Sequence, residues 1–141
     1  NTVIPLRFPY TRIEVGRTAA NELPYLPIRL STPSGVLDLF GLLDTGSTVN
    51  VLPYAVGLEL GLLWNQQTVP ISLVGNLALL PAFGVIVTAQ VATLPPVEMA
   101  FAWTQAQDAP LVLGQINFFM EFDVCFFRAQ SVFEVTTKST A

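Results

Sequence analysis

The chain has 141 residues, 52% of them hydrophobic and only 11% charged, with a formal net charge of −4. It has no histidine and one cysteine, Cys125, which excludes a Ser-His-Asp triad, a Cys-His pair, a histidine zinc site, an intrachain disulfide and a four-thiolate metal site. Its six basic residues are spread thinly and form no patch for nucleic acid, so any catalysis must come from carboxylates, hydroxyls, a few cations or water.

Eleven prolines and nine glycines interrupt short apolar runs, a pattern that favours many short strands over helices. In chain order, strands are expected at Thr2–Phe8, Tyr25–Ser31, Val36–Leu43, Thr48–Leu52, Val69–Val74, Leu79–Ala89, Val97–Thr104, Leu111–Leu113, Asp123–Arg128 and Ser131–Thr136. Thr32-Pro33-Ser34-Gly35 suits a hairpin turn between the second and third of these. Arg29 and Asp38 then fall on the wet faces of those two strands. A short helix is expected at Pro53–Gly61, with Pro in its first turn, Ala55, Leu58 and Leu62 on one side and Gly61 at its stop. A second is expected at Gln115–Glu121.

The whole chain, 1–141, reads as one mainly β domain, with 1–20 and 131–141 as interface or edge strands. Its densest apolar stretch, Leu77–Ala89, is interrupted by Pro81 and Gly84 and falls short of the ~20 apolar residues a membrane span needs. The start lacks both Met and a basic-then-apolar signal pattern. It suggests a processed or trimmed chain and, with the lone cysteine, a cytoplasmic rather than secreted setting. Few charges must cover the surface of a small domain, so part of the apolar surface is expected to be buried by a partner.

One stretch carries chemistry: Phe40-Gly41-Leu42-Leu43-Asp44-Thr45-Gly46-Ser47-Thr48. An apolar strand delivers a single carboxylate into surroundings where an ionised acid needs hydrogen bonds. Gly46 lets the backbone turn and bring its N–H toward that carboxylate, and Thr45 and Ser47 offer hydroxyls. A plain turn capped by Asp is the competing reading of the same residues.

Three ordered segments together resemble the retropepsin-like aspartic peptidases, more closely the bacterial than the retroviral members. The first is Leu42-Leu43-Asp44-Thr45-Gly46-Ser47, similar to the catalytic loop. The second, Val51-Leu52-Pro53 through Leu58-Glu59-Leu60-Gly61-Leu62, is similar to the helix after that loop. The third is Leu111-Val112-Leu113-Gly114 with Phe118, Phe119 and Phe122-Asp123-Val124, similar to the family's apolar-apolar-Gly strand, its helix and its returning strand.

The resemblance implies a retropepsin-like β-barrel with one or two short helices. It also implies a homodimer in which two Asp44 carboxylates share a proton and activate water against a peptide bond. Neither metal nor organic cofactor is implied. Asp38, Asp108 and Asp123 are not followed by Thr-Gly or Ser-Gly, so one chain supplies one catalytic aspartate and the partner must be a second copy. Asp44, Thr45, Gly46 and Ser47 form the implied catalytic set. Thr45 would brace the other subunit's loop, and Ser47 would donate its hydroxyl to the outer carboxylate oxygen. A hairpin over the cleft is expected near Val69–Val74 and Leu79–Val87, with its tip at Gly75, Asn76 and Leu77. Leu42, Val112 and the hairpin leucines would line pockets for apolar side chains.

Two departures occur together. The loop continues Thr48-Val49-Asn50 where retroviral enzymes carry an acid, and Gln115 stands where they carry an Arg. Neutral groups thus replace an ion pair; Thr48 and Asn50 are candidates for some of the substrate-backbone contacts, and Asn50 as a plain turn residue would need no such role. The alternatives are a non-catalytic retropepsin-like dimerisation or peptide-binding module, and an unrelated β-domain for apolar ligands.

Overall fold

In chain order the elements are β1 (Leu6–Pro9), β2 (Tyr25–Thr32), β3 (Gly35–Leu43), β4 (Asn50–Pro53), α1 (Tyr54–Glu59), β5 (Ala82–Gln90), β6 (Val97–Thr104), β7 (Val112–Leu113), α2 (Phe118–Glu121), β8 (Phe122–Phe127) and β9 (Val132–Thr137). The computed structural model describes residues 3–13, 22–73 and 81–139. Six strands close into a barrel in the order β2-β3-β7-β4-β6-β5, and the other three form a sheet in the order β1-β9-β8. The fold is therefore mainly β, with a closed six-stranded barrel and two short helices.

Period-two alternation fills the barrel. Leu26, Ile28 and Leu30 of β2, Val85, Val87 and Ala89 of β5, and Met99, Phe101 and Trp103 of β6 are all buried. The same cluster runs on through Phe118, Phe122, Phe133 and Val135, so barrel and three-stranded sheet share one core. The β2–β3 hairpin turns at Pro33-Ser34 between Thr32 and Gly35, as its turn residues predict. No helix among the described residues is long and apolar enough to cross a membrane.

Backbone donors explain where the expected elements shrink. β1 starts at Leu6 rather than Thr2, after Pro5, which has no N–H to give a ladder. The expected Gln115–Glu121 helix begins only at Phe118. Ile116 instead bridges to Val49 as a strand residue would, and the N–H groups of Gln115 and Ile116 donate to the carbonyls of Ser47 and Thr48 at 2.9 and 3.0 Å. Around Pro70 the expected strand reduces to a single bridge to Phe83. Its neighbours still pair with β5 through Gly84 N–H to Val69 O (2.7 Å) and Ile71 N–H to Ala82 O (3.0 Å).

Of the apolar side expected for α1, only Leu62, just past the helix, packs on the core. Ala55 and Leu58 are exposed, whereas Gly57 and Leu60 are buried. A Cβ on Gly57 would run into the Trp103 ring. Tyr54 stacks on the same ring at 5.6 Å, and Trp103 Nε1 donates to Tyr54 O at 3.1 Å. The helix is seated by the indole, and glycine is what lets it come that close. Gly61, at φ +82°, ends the turn in the left-handed region that favours glycine.

Candidate active site

β3 and β4 are consecutive in sequence, yet they do not pair. β7 lies between them, parallel to β3 (Leu42↔Val112, Leu43↔Leu113) and antiparallel to β4 (Val51↔Val112). The loop from Asp44 to Val49 must therefore arch over the end of β7, where Gly114 sits. A Cβ on Gly114 would lie 2.7 Å from the Ser47 carbonyl oxygen and closer still to that of Val49. Both obstacles are backbone, so only glycine allows this crossing. The first and third segments of the resemblance are thus in direct backbone contact.

Asp44 leaves the end of β3 with its N–H donated to Leu113 O at 3.0 Å. Its side chain is half-buried, while Thr45 and Gly46 are exposed. Gly46 N–H donates to Asp44 Oδ1 at 2.9 Å, and Ser47 N–H donates to Asp44 O at 3.1 Å. Among the described residues no side chain donates to the Asp44 carboxylate and no cation pairs with it. A Cβ on Gly46 would stand 3.2 Å from Oδ1, so this glycine both turns the chain and leaves the carboxylate uncrowded.

Ser47 does not do what its position suggests. Its hydroxyl donates to Val49 O at 2.7 Å rather than to the carboxylate. A hydroxyl has one proton to give, and the loop's own tight return puts the Val49 carbonyl within reach. Thr45 makes no side-chain hydrogen bond among the described residues. Its carbonyl accepts from Gln115 Nε2 at 2.8 Å. Gln115 therefore ties the end of β7 to the loop with a neutral bond.

Asn50 corrects an expectation. It is completely buried, and its side chain faces the protein. Nδ2 donates to Ala100 O at 3.0 Å and to Asn117 Oδ1 at 3.1 Å, while Oδ1 accepts from Gly114 N–H at 2.8 Å. Both amide hydrogens are used, so nothing remains for a substrate backbone. Asn117 completes the brace by accepting from Ala100 N–H at 3.1 Å. Neither substrate contact nor a plain turn describes Asn50; its place inside a strand points to burial. Asn117 had no such signal; a polar residue just before the Phe118-Phe119 pair was its only clue.

The remaining expected residues divide. Leu42 is half-buried and Val112 is buried between Leu42 and Val51. Thr48 is exposed and gives its carbonyl to Ile116 N–H. Gly75, Asn76 and Leu77 lie outside the described residues. A small apolar cavity of about 90 Å³ adjoins the loop, walled by Val49, Ile71, Gly84, Ala100, Phe101, Ala102 and Ile116. Leu42 and Val112 are not among its walls. Cys125 is exposed. Among the described residues no three acidic or cysteine side chains gather where they could hold a metal ion.

No protein-family model matches this chain, and no curated protein matches it either.

Proposed function

We infer that the chain is one subunit of a homodimeric, retropepsin-like aspartic endopeptidase that cuts peptide bonds between apolar residues. The observation that carries this reading is the Asp44 loop. Asp44 is half-buried at the end of an apolar strand, and among the described residues its carboxylate is held by one backbone N–H and paired with no cation. The two exposed residues that follow it, Thr45 and Gly46, leave room for a second copy of the loop. The loop also rests on the Leu111–Gly114 strand, the neighbour the resemblance calls for.

In the dimer each subunit contributes one Asp44 across a two-fold axis. Two carboxylates within hydrogen-bonding distance cannot both ionise easily, so one acid and one base coexist and titrate as a unit. The base takes a proton from a water held between them. The acid protonates the scissile carbonyl oxygen as the water oxygen adds to its carbon, giving a tetrahedral diol. Collapse of the diol breaks the C–N bond, with a proton passed to the leaving amine. Thr45 braces the opposing loop.

The test is cleavage of a peptide library between pH 3 and 7, with and without a statine-type mimic of the diol. Wild type and Asp44→Ala are compared side by side. Cleavage that is lost in Asp44→Ala and blocked by the mimic supports the reading. A wild-type protein that binds peptides but cuts none makes the chain a binding module instead.

A further inference from the structure

We propose that the cavity beside the Asp44 loop is a specificity pocket for a short aliphatic side chain of the peptide substrate, and that Gly84 sets its depth. The proposal rests on the peptidase reading and names a subsite that Leu42 and Val112 do not form. Its position ties it to the loop. Val49 and Ile116 pair with each other through an isolated bridge, and the Ile116 and Gln115 N–H groups bond to Thr48 and Ser47. The same short backbone that carries Asp44 therefore carries one wall of the cavity.

The floor is built by an alternation in two paired strands. On β6, Met99, Phe101 and Trp103 fill the core while Ala100 and Ala102 face the other way. On β5, Val85 and Val87 face the core while Ala82 and Gly84 face out. Gly84 is directly opposite Ala102 in the register. Small residues thus meet small residues, and the sheet is left with a dent that Ile71 and Val49 overhang.

Every side chain in the wall is apolar, so a water inside finds no side-chain partner and is readily displaced by methyl groups. The volume of about 90 Å³ is that of a small cavity, matched to a short aliphatic group. A Cβ at Gly84 would stand 3.4 Å from Val69 Cγ1 and 3.5 Å from Ile71 Cδ1, ordinary contact distances. A larger residue there fills the pocket instead of breaking the sheet. Ile116 is 53% exposed, so trimming it opens the pocket without entering the core.

The experiment profiles cleavage of a position-varied octapeptide library by wild type, Gly84→Val and Ile116→Ala. One subsite is expected to favour Ala and Val. At that subsite Gly84→Val should shift the preference toward Ala by about 10-fold or more, the discrimination a methylene or two commands in an apolar pocket. Ile116→Ala should admit Leu and Ile, with the other subsites unchanged. Identical profiles at every position would overturn the proposal, even if Gly84→Val alone proved unfolded, because Ile116→Ala remains.

Methyl NMR separates this outcome from failure of the peptidase reading. In Asp44→Asn, a valine-containing octapeptide should shift the Val49, Ile71 and Ile116 methyl signals, and Gly84→Val should abolish the shift. That response with no cleavage by wild type retains the pocket and removes the peptidase. Silent methyls remove the pocket whatever the enzyme does.

Discussion

Two aspartates, one within β3 and one just past its end, have opposite lives. Asp38 lies in the middle of β3, on its wet face, across from Arg29 in the β2 register. Arg29 grips it with two hydrogen bonds, Nε to Oδ1 at 2.8 Å and Nη2 to Oδ2 at 3.1 Å. Asp44 stands just past the end of the same strand, half-buried, with one backbone N–H and no cation among the described residues. The first carboxylate has its acceptor capacity taken up by a bidentate partner. The second retains an oxygen with no donor among the described residues, the condition for meeting a water, a substrate or another carboxylate. An acid's neighbours across the sheet, more than its own strand, decide whether it can do chemistry.

The largest effect sharpens that contrast. Asp44→Asn keeps the shape of the side chain and removes its ability to act as acid or base. Peptide cleavage should fall at least ~10³-fold, as expected when acid–base groups that act together are lost. Asp38→Asn should leave kcat/KM unchanged. Circular dichroism of both variants should match wild type. Equal losses in the two variants would show that neither aspartate is special and would defeat the assignment.

Next comes the support beneath the loop. Asn50→Ala strips a donor from Ala100 O and from Asn117 Oδ1, and an acceptor from the buried Gly114 N–H. Orphaned buried groups of this kind are costly, so the variant should lose about 3 kcal/mol in urea unfolding. A loss below ~0.5 kcal/mol would mean that the brace is relaxed in solution and that Asn50 is free to meet substrate, as its position in the chain first suggests.

These two asparagines and their neighbours also mark what was legible in the chain. The strands with clear alternation, Tyr25–Ser31, Val36–Leu43 and Val97–Thr104, lie within a residue of where they were expected, because burial on one face imposes period two. The Asp-Thr-Gly segment announced itself by chemistry. What could not be read were the competitions for backbone donors. Gln115 and Ile116 look helical by local pattern, but a bridge from Ile116 to Val49 and a bond from Asn50 N–H to Ile116 O draw them onto a loop far back in sequence. Likewise the face of α1 was settled by one indole from β6 packing on Gly57. The cavity floor was written as a small–large alternation in Ala100-Phe101-Ala102-Trp103, a signal that gains meaning only when β5 is laid beside it.

A smaller effect is expected at Ser47. Its hydroxyl serves Val49 O, not Asp44, so Ser47→Ala should cost about 1 kcal/mol of stability. It should also leave the acid limb of the rate profile where it is. An acid limb that moves upward would show that the hydroxyl turns to the carboxylate once two loops meet, and that the dimer rearranges the site seen in one subunit.

The smallest effect tests the other half of the comparison. Hydrogen bonds from Arg29, helped by its positive charge, hold the Asp38 carboxyl below its ordinary value of 3.8. A depressed value in the fold means that the ion pair stabilises above the unfolded value and loses this as pH falls through the folded one. Both side chains are exposed, and such pairs contribute little in water and less in salt. Asp38→Asn should therefore unfold only marginally below wild type at pH 7. The gap should close on acidification below pH 4 and on addition of salt, as followed by thermal melts across pH 2–7. A gap that widened in acid would mean that the charged form of Asp38 destabilises the fold, and the geometry of the Arg29 pair could not then be what separates this carboxylate from Asp44.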